Sequence, residues 1–308
     1  MQRKFLLNNK FLGGAFLNLI YTTIEQGLIY TILGIGVYLT YKVLDIADLS
    51  VDSTFPFGAL LFAKLATMGI DPIVGTIGTF VLGTLTGLLA ALLCIGLKIK
   101  PLLAGILNMT ILYSINLRIN GKANVPLSGS KVIFDYFSFG NKYIDRIIVM
   151  IVIVAIVKFL VDRFLKTESG YMLVATGDNK SLVRSLGESS NKYIIIGLML
   201  SNGLVALSGA LLTQSQKFAD MQMGPGTIVI ALASIIIGDT IFRYRNLRGT
   251  TRVLIGAIIY KAINALALEA GLQPSDFKMV TGIIVVLFIA YNNGYANWQI
   301  KKRSKERI

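Results

Sequence analysis

The sequence has no histidine, and its only cysteine is Cys94. A histidine general base is therefore excluded, one thiol cannot close an intrachain disulfide, and a metal site of the His/Cys type cannot be built. Cys94 lies in LLAALLCIGL, where a thiol acts as a small packing residue. Charge is scarce as well. Of 308 residues 15% are charged and 54% hydrophobic, with mean hydropathy +0.68, whereas a soluble domain carries about 25% charge. The GxxxxGK[ST] signature of a phosphate-binding loop is missing too, so any ATP hydrolysis must be supplied by another chain. The start, MQRKFLLNNKFLGG, has a basic end but no small-residue cleavage site after a compact apolar core, so it does not read as a removable signal peptide.

What is present is a series of apolar runs of roughly 17 to 25 residues, the length of a helix that crosses a bilayer. The fold class is all-α: a polytopic membrane helical bundle of roughly eight to ten segments at about 20 residues each, forming one transmembrane domain over residues 1–308. Residues 1–18, with Arg3, Lys4 and Lys10 among Phe and Leu, suit a helix on the membrane surface. Formal net charge is +14. Nucleic acid is not the expected partner, because the basic residues are scattered between apolar spans, where the positive-inside rule accounts for them. They concentrate at Lys98–Lys100, Lys158–Lys192, Arg243–Arg252 and the tail 299–308. That bias puts these four regions, with the C-terminus, on the cytoplasmic side of a plasma membrane.

The organising stretch is Leu44–Ala59, LDIADLSVDSTFPFGA, which places Asp45, Asp48 and Asp52 between two apolar runs. Carboxylates there must face protein or a water-filled cavity. Pro56 and the Asp/Ser/Thr cluster break helical regularity, and broken helices at membrane depth are tolerated where backbone is buried or lines a cavity. Broken or re-entrant helices are expected near 44–57 and 223–238, the second because of Gly224, Pro225 and Gly226. Asp45 and Asp48 suit helix capping. Asp52, leading Ser53, Thr54, Phe55 and Phe57, is expected to face a solute path, with its carboxylate for an ammonium and the two Phe for a ring. Asn108, Tyr113 and Asn116 share one span, Asn108 and Asn116 on roughly one face. With Asn202 they are either path-lining groups or hydrogen-bonding glue between helices. Lys261, with Asn264 and Glu269 on the same span, lies deep in an apolar run and needs a partner or must snorkel.

The longest soluble stretch, Lys166–Lys192, holds a short helical unit, DNKSLVRSLG, bracketed by Gly177 and Gly187. Asp178 or Asn179 is the N-cap and Gly187 the terminator. Leu182, Val183 and Leu186 are expected to share one face, Lys180 and Arg184 another. The unit is either an ordinary loop helix resting on the membrane or a docking knob for a cytoplasmic motor.

Four stretches carry a resemblance: Gly27–Ala59, Lys98–Leu127, Gly170–Tyr193 and Gly197–Phe242. Over about Gly27 to Ala290 the chain resembles the permease subunit of bacterial ABC importers, in the group of branched-chain amino acid and ribose permeases, and in particular the tryptophan/tyrosine-type permeases. The resemblance implies a non-enzymatic subunit without catalytic residues, metal or bound cofactor, which moves a small solute, an amino acid of aromatic type. It implies a second copy of the chain, a cytoplasmic ATP-binding subunit that brings the ATP, and an external substrate-binding lipoprotein. It also makes 178–187 the coupling helix, on the strength of Gly177, Asn179 and Gly187. Two rival readings stand beside it. One is an ion-gradient-driven secondary transporter with the aspartates as ion sites. The other is an intramembrane lipid transferase, weakened by the missing histidine.

Overall fold

The computed structural model describes residues 2–137, 140–243, 245–273 and 276–290, with the backbone alone for residues 2–16. Helices dominate: α1 (Gln2–Tyr38), α2 (Val51–Thr67), α3 (Pro72–Ile95), α4 (Pro101–Asn120), α5 (Lys142–Phe164), α6 (Glu168–Asp178), α7 (Lys180–Ser185), α8 (Ser190–Gln216), α9 (Thr227–Ile241), α10 (Gly249–Glu269) and α11 (Phe277–Ala290). Among the described residues, α3, α4, α8, the segment Met221–Ile241 and α10 are long and apolar enough to cross a membrane. A two-stranded antiparallel ribbon, β1 (Asn124–Pro126) on β2 (Phe218–Asp220), clips one end of the bundle. Helices α6 and α7 lie at the other end, since α8 joins α7 to β2 and its 27 residues measure roughly 40 Å.

Residues 1–18 do not form a separate surface helix. Backbone helix runs unbroken from Gln2 to Tyr38, with no proline to end it. The break comes later. A π-helical turn, Leu39–Val43, loosens the ladder, and Ile46 N reaches back to Thr40 O at 2.9 Å. Asp48 then accepts from Ser50 N at 2.9 Å and starts α2. A second break precedes α9: Asp220, at the end of β2, accepts from Gln222 N at 2.7 Å, and a 3₁₀ turn, Met221–Met223, leads to α9.

α8 lies chiefly against α3, as α1 lies against α10. α2 and α9 both start inside the bundle and leave in opposite directions, α2 toward the ribbon and α9 toward α6–α7. α2 and α9 thus run in opposite senses from neighbouring starts. The core is continuous from Ile29 and Leu33 on α1 and Leu39 of the π-helical turn through Phe55 and Phe62 on α2 to Val205 and Leu211 on α8. At the ribbon end Asp71 caps α3 by accepting from Ile73 N and Val74 N. Tyr136 donates its hydroxyl to the same carboxylate, which holds Asp71 below the usual carboxylate range and pushes the Tyr136 hydroxyl up.

Candidate functional site

The breaks before α2 and α9 bring two polar centres into the bundle. The first is built on Asn202 of α8, which is fully buried. Its Nδ2 donates to Asp48 Oδ2 at 2.8 Å and to Leu198 O at 3.0 Å. Its Oδ1 accepts from Ser50 Oγ at 3.1 Å and Thr54 Oγ1 at 2.8 Å. All four hydrogen-bonding positions of the amide are thus occupied. Thr54 Oγ1 lies 3.2 Å from Thr86 Oγ1 on α3, and Asn108 Nδ2 donates to the Thr86 carbonyl at 3.0 Å. Ser53 Oγ donates to Met109 O at 2.9 Å, and Asn116 Nδ2 donates to Ser53 O at 3.0 Å. One network therefore ties the break before α2 to α3, α4 and α8. Asp48, read from sequence as a helix cap, is that and also the charged partner of Asn202.

The second centre is Asp52. Its Oδ1 accepts from Thr227 Oγ1 at 3.0 Å and Ile228 N at 2.9 Å, and its Oδ2 from Gly226 N at 3.0 Å. This differs from the expected ammonium-facing carboxylate. The first amides of α9 are at bilayer depth, where no water can satisfy them, and the aspartate of the neighbouring helix does so instead. One carboxylate offsets the positive ends of two helices, since it also lies in the first turn of α2. Gly224 lets the chains come this close. A side-chain carbon there would run into the Asp52 carbonyl, which Pro56 leaves without a helical donor.

The other path candidates separate. Phe55 is fully buried and stacks on Tyr30 at 6.0 Å between ring centroids, so it is core and not a cavity wall. Phe57 is half-buried. Asn108 and Asn116 are buried on the α2-facing side of α4, and each keeps an Oδ1 without a donor among the described residues. Tyr113 is exposed: five positions beyond Asn108, it stands about 140° round the helix from it. Asp45 is exposed, with φ of 54°. Lys261, unassigned from sequence, sits on α10 with its Nζ 3.7 Å from the Tyr30 ring centroid and 3.3 Å from Gln26 Oε1.

At the other end, α6 stops at Asp178, so the short helix is α7 alone and not the whole of 178–187. Asn179 is the N-cap: its Oδ1 accepts from Ser181 N at 2.9 Å and Leu182 N at 3.2 Å. Gly187 ends the turn at φ 82°. The three apolar residues do not share a face. Val183 is fully buried, whereas Leu182 and Leu186 are 50% and 59% exposed beside exposed Lys180 and Arg184. A six-residue helix turns residue i+1 through about 100°, so Val183 anchors the rod and the two leucines project. Gly177 seats α6 against the break, where a side-chain carbon would strike the Val43 carbonyl. Gly177→Val is expected to lift α6 from the π-helical turn and to cut coupled transport severalfold. Tryptic cleavage at Lys180 and Arg184 should quicken if it does.

Two carboxylates gather cations near α6–α7. Asp162 meets Lys158 at 2.7 Å, Arg248 at 3.0 Å and Thr250 Oγ1 at 2.5 Å, joining α5 to α10. Asp239 meets Arg252 at 3.0 Å and Lys42 at 3.6 Å, joining α9, α10 and the π-helical turn.

Five described segments long and apolar enough to cross a membrane, packed round buried helix breaks, define a multi-pass membrane protein. The family described as "branched-chain amino acid transport system / permease component" matches residues 19–289, and the chain belongs to that family, the permease components of ABC transporters. It is 41% identical over 290 residues to the tyrosine transport system permease protein of Clostridioides difficile, covering 94% of this chain and 96% of that one. The ribose import permease protein RbsC of Haemophilus influenzae is 25% identical over 276 residues, covering 88% and 84%. A solved structure, PsaBC from Streptococcus pneumoniae in complex with Fab, superposes with a TM-score of 0.51 over 88% of this chain and 90% of that one; at 16% identity it speaks for the fold alone.

Proposed function

We propose that the chain is the membrane path of an ATP-driven importer of an amino acid, aromatic in type, in a bacterial plasma membrane. The α6–α7 end and the C-terminus face the cytoplasm, as the clustering of Lys and Arg favours. A cytoplasmic ATP-binding subunit docks on Leu182 and Leu186 and supplies the hydrolysis; no cofactor is bound by this chain. An external lipoprotein delivers the solute at the ribbon end, and a second copy completes the path. The solute passes beside the breaks before α2 and α9, where Ser53, Thr54, Asn108 and Asn116 supply polar groups and Phe57 and Tyr113 apolar ones. The observation that carries this reading is α7: a rod capped at both ends, anchored by one buried valine, that offers two exposed leucines. Such a surface needs a partner.

Reconstitution in liposomes tests it. With the ATP-binding subunit, the binding protein and ATP, labelled L-tyrosine is expected to accumulate. Accumulation by this chain alone under a sodium or proton gradient would contradict the proposal and favour an ion-driven carrier.

A further inference from the structure

Lys261 lies 12 residues into α10, which begins at Gly249, so it stands roughly 18 Å along the helix, near the middle of a hydrocarbon layer of about 30 Å. An ammonium at that depth is expected to find an anion. Elsewhere this protein obeys the rule: Asp162 and Asp239 each gather two cations. Lys261 has no carboxylate within ion-pair distance among the described residues. It has the Gln26 carbonyl oxygen at 3.3 Å, the Tyr30 ring face at 3.7 Å and the Tyr260 ring at 6.0 Å. These supply partial negative charge and no formal charge. At most one of its three N–H donors is used by a hydrogen bond among the described residues.

Three neighbours give this charge a direction. Tyr30, which holds the ammonium on one ring face, stacks on Phe55 of α2, three residues from the Asp52 that joins the two breaks. Gln26 and Tyr30 on α1 and Lys261 on α10 span the contact between these two helices. Asn264, three residues beyond Lys261 and so on the same side of α10, is buried, and its Oδ1 has no donor among the described residues. A cation lacking an anion and an acceptor lacking a donor, one helical turn apart, match the two charged groups of an α-amino acid.

We propose that Lys261, held on Tyr30 and Gln26, is the site in the membrane path that receives the carboxylate of the solute, with Asn264 accepting from its ammonium. This rests on the reading of the chain as an amino acid importer, and it makes the requirement for a free carboxylate a property of the permease itself. The positive charge is the essential part. A neutral amide at 261 can still hydrogen-bond to Gln26 but cannot offset an anion.

The test uses the complete complex in liposomes with ATP. Lys261→Gln is expected to lower L-tyrosine uptake at least tenfold, with Lys261→Arg recovering most of it. Unchanged uptake by Lys261→Gln overturns the site. Because that variant also loses a contact between α1 and α10, a second measurement uses the wild-type complex. Lys261 is acylated by a small water-soluble amine reagent during ATP turnover, and the peptide is quantified by mass spectrometry. L-Tyrosine is expected to slow the reaction at least fivefold and tyramine, which lacks the carboxylate, to leave it unchanged. Equal protection by both compounds, or no acylation while uptake proceeds, overturns the site and leaves the importer reading standing. A wild-type complex that accumulates no amino acid overturns the importer reading instead.

Discussion

Leu182→Asp or Leu186→Asp is expected to reduce ATP-coupled uptake at least tenfold while the membrane bundle stays folded. Both side chains are half exposed or more in this chain, so neither supports its own core. On the proposed docking they are buried against the ATP-binding subunit, where a leucine contributes about 1.5 to 3 kcal/mol and an apolar anchor at the centre of an interface about 2 kcal/mol or more. A carboxylate in that place also brings a desolvation cost. A loss of about 1.4 kcal/mol already corresponds to tenfold, so the effect exceeds the noise of any transport assay. The control is Val183→Asp, which should unseat α7 itself because that residue is fully buried. Stimulation of the ATP-binding subunit, read beside the thermal midpoint in detergent, separates the two: the leucine variants lose stimulation and keep the midpoint, and the valine variant loses both. Normal stimulation in both leucine variants would show that the motor docks elsewhere.

Asn202→Leu is the second large effect, and it falls on stability. The substitution keeps the branched shape, adds bulk, and removes the four hydrogen bonds that the Asn202 side chain makes. Hydrogen bonds between membrane helices are worth on average about 0.6 kcal/mol each, so the lost bonds alone are a modest term. The larger one is Asp48, which is buried and would keep only Ser50 N as a partner. Leaving a buried charged acceptor short of donors costs about 1 to 3 kcal/mol or more. Together these give a destabilisation of about 3 kcal/mol, expected as a fall in the detergent unfolding midpoint. Asp48→Asn in the same background should recover part of it, since the charge that needs a donor is then gone. No recovery would mean that packing of α8 on α2 and α3, and not the carboxylate, sets the cost.

Much of this was legible in the sequence, for identifiable reasons. Apolar runs set the spans, because length and hydropathy are local properties. The polar break at 44–57 and the Gly–Pro–Gly break before α9 were visible because prolines, glycines and carboxylates have few other uses amid apolar helices. Partners were not visible. Asp52 looked free because its acceptors' donors, Gly226, Thr227 and Ile228, are more than 170 residues away. Phe55 looked like a cavity wall because its spacing alone cannot say which of two helices it meets. Asp48 and Asn202 belonged together for the same hidden reason, although each is a costly polar residue in an apolar run and the two might have been paired on that ground. α7 was readable as a capped rod, yet Leu182, Val183 and Leu186 were placed on one face, since six residues are too few for periodicity to separate the buried valine from the two exposed leucines.

The central claim is that α7 is where the motor grips, and cross-linking tests it most directly. Replacing the only native thiol, Cys94, by serine leaves a background for single cysteines at 182, 183 and 186. With a thiol-to-amine cross-linker and the complete complex, positions 182 and 186 should join to the ATP-binding subunit and position 183 should not. Cross-links absent from both leucine positions, with the same subunit captured instead from a cysteine on the β1–β2 ribbon, would contradict the orientation, the coupling and the direction of transport together.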